Sequence, residues 1–217
     1  MSLKIGINLT SNYSMNFNYP KREKKSIKFI ILHYTGMKNE SDAIKKLCDS
    51  KSKVSSHYFI KFDGKVLNLV PDLYEAWHAG KSNWKNFESI NRFSIGIEIH
   101  NPGHEHGYKK FRPKQILSLK KLLKQLLKKY KIKSSCVLGH SDIAPNRKKD
   151  PGEKFPWKKL ANDNLCLWHS LNEKKIEKLR KKKLTLNDKN TFFKNLLKIG
   201  YSRFDKKSLI TAFQRRF

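Results

Sequence analysis

Apolar residues in this chain fall into runs whose period switches between two and about 3.6. From Ile27 to His33 the chain is apolar, and Ile27, Phe29, Ile31 and His33 share one face of an extended strand. Ser94 to His100 alternates strictly: Ile95, Ile97 and Ile99 point one way, and Gly96, Glu98 and His100 the other. Val54 to Ile60 and Val66 to Val70, separated by Asp63-Gly64, predict a hairpin. Cys136 to His140 reads as a short buried strand. Two segments carry the helical period, Ser41 to Cys48 and Pro113 to Tyr130. In the second, Ile116, Leu119, Leu122, Leu123, Leu126, Leu127 and Tyr130 form one stripe, and lysine dominates the opposite face. Such a stripe suits a helix covering a sheet better than one lying on a membrane surface.

Strands alternating with helices after a hairpin predict an α/β (α+β) fold, a central mixed β-sheet flanked by helices with a short C-terminal helical segment. Residues 1–25 are polar and end in Lys21-Arg22-Glu23-Lys24-Lys25, which predicts an arm laid over the fold and outside its core. Residues 26–168 form the main domain. In residues 169–217, Glu173 to Lys183 reads as a solvated linker or exposed helix, and Thr191 to Ile199 and Leu209 to Phe213 as two short helices around Gly200-Tyr201. The apolar stripe of that segment has little left to pack against.

Composition narrows the partners. The chain of 217 residues has 48 Lys and Arg against 18 Asp and Glu, a formal charge of +30. Such an excess reads as solvated surface and compositional bias or as a patch for a polyanion: nucleic acid, an anionic membrane face or an acidic cell-wall polymer. Most of it is scattered lysine without the arginines and interleaved aromatics of a nucleic-acid reader, so no specific nucleic-acid partner is expected. The three cysteines, Cys48, Cys136 and Cys166, are odd in number and form no C-x-x-C pair. Each sits among apolar neighbours, and they predict buried free thiols in a reducing compartment. No run approaches the roughly 18 apolar residues of a membrane span, and Met1 to Gly6 lacks the apolar region of a signal peptide. The expected location is the cytoplasm, with the periplasm as the alternative if a signal peptide has been removed.

The densest chemistry lies in the loop from Gly139 to Gly152. It follows an apolar run, begins with His140, and is stiffened by Pro145 and Pro151. A histidine and an aspartate on one stiff loop supply two of the three protein ligands of a catalytic zinc site. His33, ending another apolar run in the same way, is the candidate third. Each of His33, His140 and Asp150 alone would be an ordinary hydrogen-bonded or turn residue. Their combination with Glu98, a carboxylate among isoleucines, gives them weight, because a buried carboxylate acquires the raised pKa of a general acid or base unless a lysine pairs with it. His104-Glu105-His106 has the wrong spacing for a helical ligand pair.

Five ordered segments carry a resemblance: Ile30 to Thr35, Val54 to Tyr58, Ala76 to Gly80, Ser94 to Glu98, and the His140 to Gly152 loop followed by Phe155-Pro156-Trp157. Over about residues 17–165 the chain resembles the zinc-dependent N-acetylmuramoyl-L-alanine amidases of the type 2 amidase family, related to the peptidoglycan recognition proteins. The tail from Leu197 to Phe217 is similar to the start of a small helical peptidoglycan-binding domain but stops early. The resemblance implies one zinc ion on His33, His140 and Asp150, with Glu98 and Lys148 as catalytic residues. It places His57, Trp77 and His78 at family positions, read as core or substrate-binding groove residues. His100 is less typical there and is expected to face solvent.

The implied substrate is the amide between the lactyl group of N-acetylmuramic acid and L-Ala of the stem peptide, in muropeptides or peptidoglycan. Zinc would bring the pKa of water near 7, Glu98 would move the proton, and Lys148 would support the oxyanion. The alternatives are a non-catalytic peptidoglycan-recognition module, which typically lacks a zinc ligand, and a polyanion-binding protein, suggested by charge alone.

Overall fold

The computed structural model describes residues 12–183 and 185–217. In chain order its elements begin with β1 (Phe17–Asn18), β2 (Phe29–Tyr34), α1 (Glu40–Cys48), β3 (Tyr58–Ile60) and β4 (Val66–Asn68). Then come β5 (Glu75–Ala76), β6 (Asn83–Trp84), β7 (Phe87–Glu88), β8 (Ser94–Ile99), α2 (Pro113–Tyr130) and β9 (Val137–Gly139). The chain ends with α3 (His140–Ile143), α4 (Trp157–Ala161), α5 (Glu173–Arg180), α6 (Leu186–Ile199) and α7 (Lys206–Arg216). The main sheet has the order β4-β3-β8-β2-β9; β3, β8, β2 and β9 run parallel, and β4 returns antiparallel. This is the mixed sheet flanked by helices that the alternation predicts.

Register sorts the side chains of β2 and β8 between two faces. Ile30 and Leu32 lie beside Ile95 and Ile97 on one face; Phe29, Ile31 and His33 lie beside Ser94, Gly96 and Glu98 on the other. Helix α2 covers the first face with Ile116, Leu119, Leu122, Leu123, Leu126 and Tyr130. Each such leucine contributes about 1.5–3 kcal/mol by leaving water. Pro113 opens the helix, the Gln115 side chain accepts from the Arg112 N–H, and Lys131 in the left-handed region closes it.

The second face is apolar only at its amino end, where Phe29, Ile31 and Leu138 are covered by Leu196, Tyr201, Leu209 and Ala212 of the C-terminal segment. The stripe expected to lack a partner is therefore core, because that end of the sheet would otherwise be bare. At the carboxyl ends of β2, β8 and β9 the same face turns polar, the position where parallel sheets carry their sites.

Two further expectations are corrected. The arm is not outside the core: Phe17–Asn18 pairs with Glu75–Ala76, and Ser14, Asn16 and Phe17 are buried. The Arg22 guanidinium donates to the carbonyls of Asn91, Ser94 and Asp72, tying the arm to the start of β8. The part of that arm from residue 1 to 11 lies outside the described residues. The strand at Cys136–His140 is shorter than expected. Cys136 closes a 3-10 turn, and His140 opens the one-turn α3, which the Asp142 carboxylate initiates by accepting from the Gly139 N–H at 2.8 Å. All three cysteines are free thiols, but only Cys166 is buried as expected; Cys48 and Cys136 are half-buried because each lies at the end of its element.

Candidate metal centre

The ladder between β2 and β8 pairs His33 with Glu98, and the ladder between β2 and β9 ends at Leu32 and Gly139, which puts His140 beside His33. Asp150 arrives from the far end of the loop, held by the Ser141 N–H donating to the Asp150 carbonyl at 2.8 Å. Three side-chain atoms converge. His33 Nδ1 lies 2.9 Å from His140 Nδ1 and 2.9 Å from Asp150 Oδ2, and His140 Nδ1 lies 3.1 Å from Asp150 Oδ2. The residues are 1%, 3% and 7% exposed, so water cannot screen them.

Proton bookkeeping shows what the three atoms are. His140 Nε2 lies 3.1 Å from the Ala79 carbonyl, which only accepts; in the neutral ring the proton sits on Nε2, and Nδ1 is a lone pair. For His33 the argument runs along a chain of bonds. The Ser94 hydroxyl gives its one proton to the Ile90 carbonyl at 2.7 Å, so it accepts from His78 Nε2–H at 3.2 Å. His78 Nδ1 then accepts from His33 Nε2–H at 3.1 Å, which leaves His33 Nδ1 as a second lone pair. Burial, with His140 adding to it, lowers the His33 pKa to about 4, so the ring is neutral at pH 7.

With both rings neutral, two imidazole lone pairs and a carboxylate oxygen meet with no proton between them, an arrangement that a cation relieves. Their spacings approach the roughly 3.3 Å edge of a tetrahedron with bonds of about 2.0–2.1 Å. The residues fit a divalent metal, and these same three form the metal-capable group found among the described residues. The Asp150 carboxyl is held well below the ordinary range by His140 and His33, against the opposing effect of burial.

Glu98 stands beside this group, partly buried, with Oε2 enclosed and without a hydrogen-bond partner among the described residues. Burial raises its pKa to about 8, Asp150 adds to the rise, and Lys148 opposes it. A carboxyl in that range can both take and return a proton. The cleft above has a volume of about 340 Å³ and includes Trp77, Glu98, Lys148 and Glu105 in its walls. Lys46, Arg147 and Lys149 join Lys148 there, opposite the carboxyls of Glu98, Glu105 and Asp150. The Trp77 ring is half-buried, and its Nε1–H donates to Asn18 Oδ1 at 3.0 Å.

The other candidates are placed differently. His78 borders the cleft, but both ring nitrogens are engaged, with His33 and Ser94. Its ring lies so close to the sheet that a Cβ at Gly96 would come within 2.4 Å of it, so position 96 requires glycine. His57 is fully buried away from the cleft; Nδ1 accepts from the Gly96 N–H, and Nε2 meets the Tyr74 carbonyl and Arg22. His100, expected to face solvent, is enclosed, with Nδ1 on Thr35 Oγ1 and its ring against Phe62. Phe59, Phe62 and Thr35 enclose it through tertiary packing, which leaves no local sequence signal.

Sequence reasoning missed Ser94 and Asp142. Ser94 shares the Glu98 face in the alternation, which was a usable signal; nothing local distinguishes the role of Asp142 from that of Asp150.

The family described as N-acetylmuramoyl-L-alanine amidase matches residues 23–153. The N-acetylmuramoyl-L-alanine amidase AmiD of Escherichia coli (strain K12) is 32% identical over 232 residues, covering 99% of this chain and 81% of that protein. The 1,6-anhydro-N-acetylmuramyl-L-alanine amidase AmpD of Haemophilus influenzae is 38% identical over 111 residues, 51% of this chain and 58% of its own length. Among solved structures, AmpDh3 from Pseudomonas aeruginosa superposes with a TM-score of 0.76 at 30% identity, covering 96% of this chain and 89% of that one. The complex of AmiD from E. coli with anhydro-N-acetylmuramic acid-L-Ala-D-γ-Glu-L-Lys gives 0.76 at 31% identity, covering 99% and 87%. With its sheet, its converging His33, His140 and Asp150 and a family match over more than half its length, the chain belongs to the N-acetylmuramoyl-L-alanine amidase family.

Proposed function

We propose that the protein hydrolyses the amide between the lactyl group of N-acetylmuramic acid and L-Ala of the stem peptide in peptidoglycan fragments, using one zinc ion held by His33, His140 and Asp150. The observation that carries this is the meeting of three proton-free acceptors next to Glu98, whose carboxyl is partly buried. Two imidazoles and one carboxylate are a donor set of catalytic zinc, which leaves a coordination position open. Bound there, zinc supplies Lewis-acid polarisation of the amide carbonyl and acidifies water, worth several kcal/mol of barrier.

The chain's own residues carry the remaining steps. Glu98 takes a proton from the attacking water as its oxygen adds to the carbonyl carbon. It returns that proton to the L-Ala nitrogen as the C–N bond breaks. Lys148, in the same wall, places a cation near the developing oxyanion; losing such a donor costs about a hundred- to a thousand-fold in rate. Lys46, Arg147 and Lys149 draw stem-peptide carboxylates into the cleft. Substrates with the 1,6-anhydro sugar are the proposed preference, supported by the anhydro-muropeptide bound by the similar AmiD.

Mass spectrometry of a defined anhydro-muropeptide incubated with the protein tests this. Free stem peptide should appear, stop on chelation, and return with zinc. A muropeptide left uncut with zinc present, in both sugar forms, would refute it.

A further inference from the structure

The loop that bears His140 is anchored from an unexpected direction. Asp142, two residues after His140, is 1% exposed, yet neither oxygen points to the metal centre. Oδ2 accepts from the Gly139 N–H at 2.8 Å and from Arg216 Nη1 at 2.5 Å, and Oδ1 accepts from the Tyr201 hydroxyl at 2.6 Å. The two side-chain donors lie 59 and 74 positions later in the chain, in the C-terminal segment.

Both donors are fixed by their own surroundings. The Arg216 guanidinium is buried, stacks 4.1 Å from the Trp157 ring centroid, and donates through Nη2 to the Val137 carbonyl at 3.2 Å. Tyr201 packs edge-on against Trp84 at 4.9 Å, and the preceding Gly200 carbonyl accepts from the Lys85 N–H at 2.7 Å. Gly200 sits at φ +137° with a Cβ position only 2.5 Å from Trp84, so the chain enters this contact only as glycine.

We infer that the C-terminal helical segment is a working part of the metal centre: Arg216 and Tyr201 grip Asp142 and thereby set the position of His140. The inference rests on His33, His140 and Asp150 holding the metal. Asp142 caps α3, whose first residue is His140, and Ser141 in the same turn bonds the Asp150 backbone. One buried carboxylate thus ties the two loop ligands to the end of α7. Arg216 and Tyr201 are positioning residues, acting through Asp142. Partners that orient a metal's ligands commonly carry a ten- to hundred-fold effect on metal affinity. On this view residues 185–217 serve the catalytic domain from within, whatever they contribute to wall binding.

The test uses the full chain and three variants, Tyr201→Phe, Arg216→Gln and Arg216→Lys. Zinc dissociation constants are measured by competition with a chromophoric chelator well below the melting transition, and the visible spectrum of the cobalt-loaded protein reports ligand geometry. Arg216→Gln should bind zinc about ten- to a hundred-fold more weakly with an altered cobalt spectrum. Tyr201→Phe should shift both in the same direction by less, and Arg216→Lys should recover part of the loss. Folded variants with lower melting temperatures but unchanged zinc affinity and cobalt spectrum would overturn the inference, because a purely structural tie predicts that result. Should Arg216→Gln fail to fold, Tyr201→Phe decides alone, since it removes one hydroxyl and keeps the ring against Trp84. Failure of the parent chain to bind zinc would instead refute the metal reading itself.

Discussion

The chain of hydrogen bonds ending on His33 predicts how substitutions at His78 change zinc retention. His33 Nε2–H donates to His78 Nδ1 at 3.1 Å, which leaves His33 Nδ1 as a lone pair. His78→Phe deletes that acceptor and strands a buried N–H, at a cost of about 1–3 kcal/mol. His33 has a way to recover it. Its proton moves to Nδ1, where Asp150 Oδ2 waits 2.9 Å away. That tautomer offers zinc no lone pair at Nδ1, so binding must work against a preference of about 1.4–2.8 kcal/mol, a ten- to hundred-fold loss of affinity. In His78→Asn the side-chain oxygen falls near the place of Nδ1 and accepts the same proton, so affinity should return to within a few-fold of the parent. Competition with a chromophoric chelator at neutral pH gives the constants, and far-UV circular dichroism confirms that each variant is folded. If His78→Phe binds zinc as tightly as the parent, or if both variants lose affinity equally, the tautomer argument is wrong.

Glu98→Gln should keep stoichiometric zinc yet lose most turnover; near-parental kcat would remove Glu98 from proton transfer. The same variant has a pH signature in the chelator-treated protein. The Glu98 carboxyl, at about 8 folded against 4.5 unfolded, contributes stability that is fully present below 4.5 and lost as pH rises through 8. Urea melts should therefore find Glu98→Gln more stable than the parent near about pH 9, with the gain fading on acidification. Asp150→Ala should lower zinc content and melting temperature together, and full metal occupancy by elemental analysis would contradict its place as a ligand. Lys148→Met should lower kcat by about a hundred- to a thousand-fold at little cost in zinc affinity, measured as kcat and KM on a muropeptide.

What the sequence made legible follows from what is local. Alternation in β8 placed Glu98 opposite the isoleucines, and the stripe of α2 named the residues that cover the sheet. The ligand positions came from the family resemblance together with strand ends and a proline-stiffened loop. Register was not legible: that His33 pairs with Glu98 depends on how β2 meets β8, and no local pattern states it. The same limit hid the role of His78, which exists only because Gly96 leaves room for its ring on the sheet. It also hid Arg216, which looked like one more cation in a basic tail. A charge in the last turn of a helix is ordinarily solvated; this one is 6% exposed because the bare amino end of the sheet drew the helix onto it.

The two scales of charge in this chain do different work. The lysines of α2 stand on the far side of the sheet from the metal centre, and beyond about 8 Å such charges are screened at physiological ionic strength. They lie too far off to act on the cleft, whose own charged groups are nearer. Within the cleft, burial and Asp150 push the Glu98 carboxyl upward, and Lys148 pulls it down. A cation on His33, His140 and Asp150 adds a second downward pull and neutralises the very carboxylate that opposes Glu98. Burial favours the protonated form of Glu98 near neutral pH, and a cation held there would shift it toward the base form. On the proposed metal reading, filling the centre would also favour the base form of Glu98, and that coupling would come from a few groups around a single strand pair rather than from the net charge of +30.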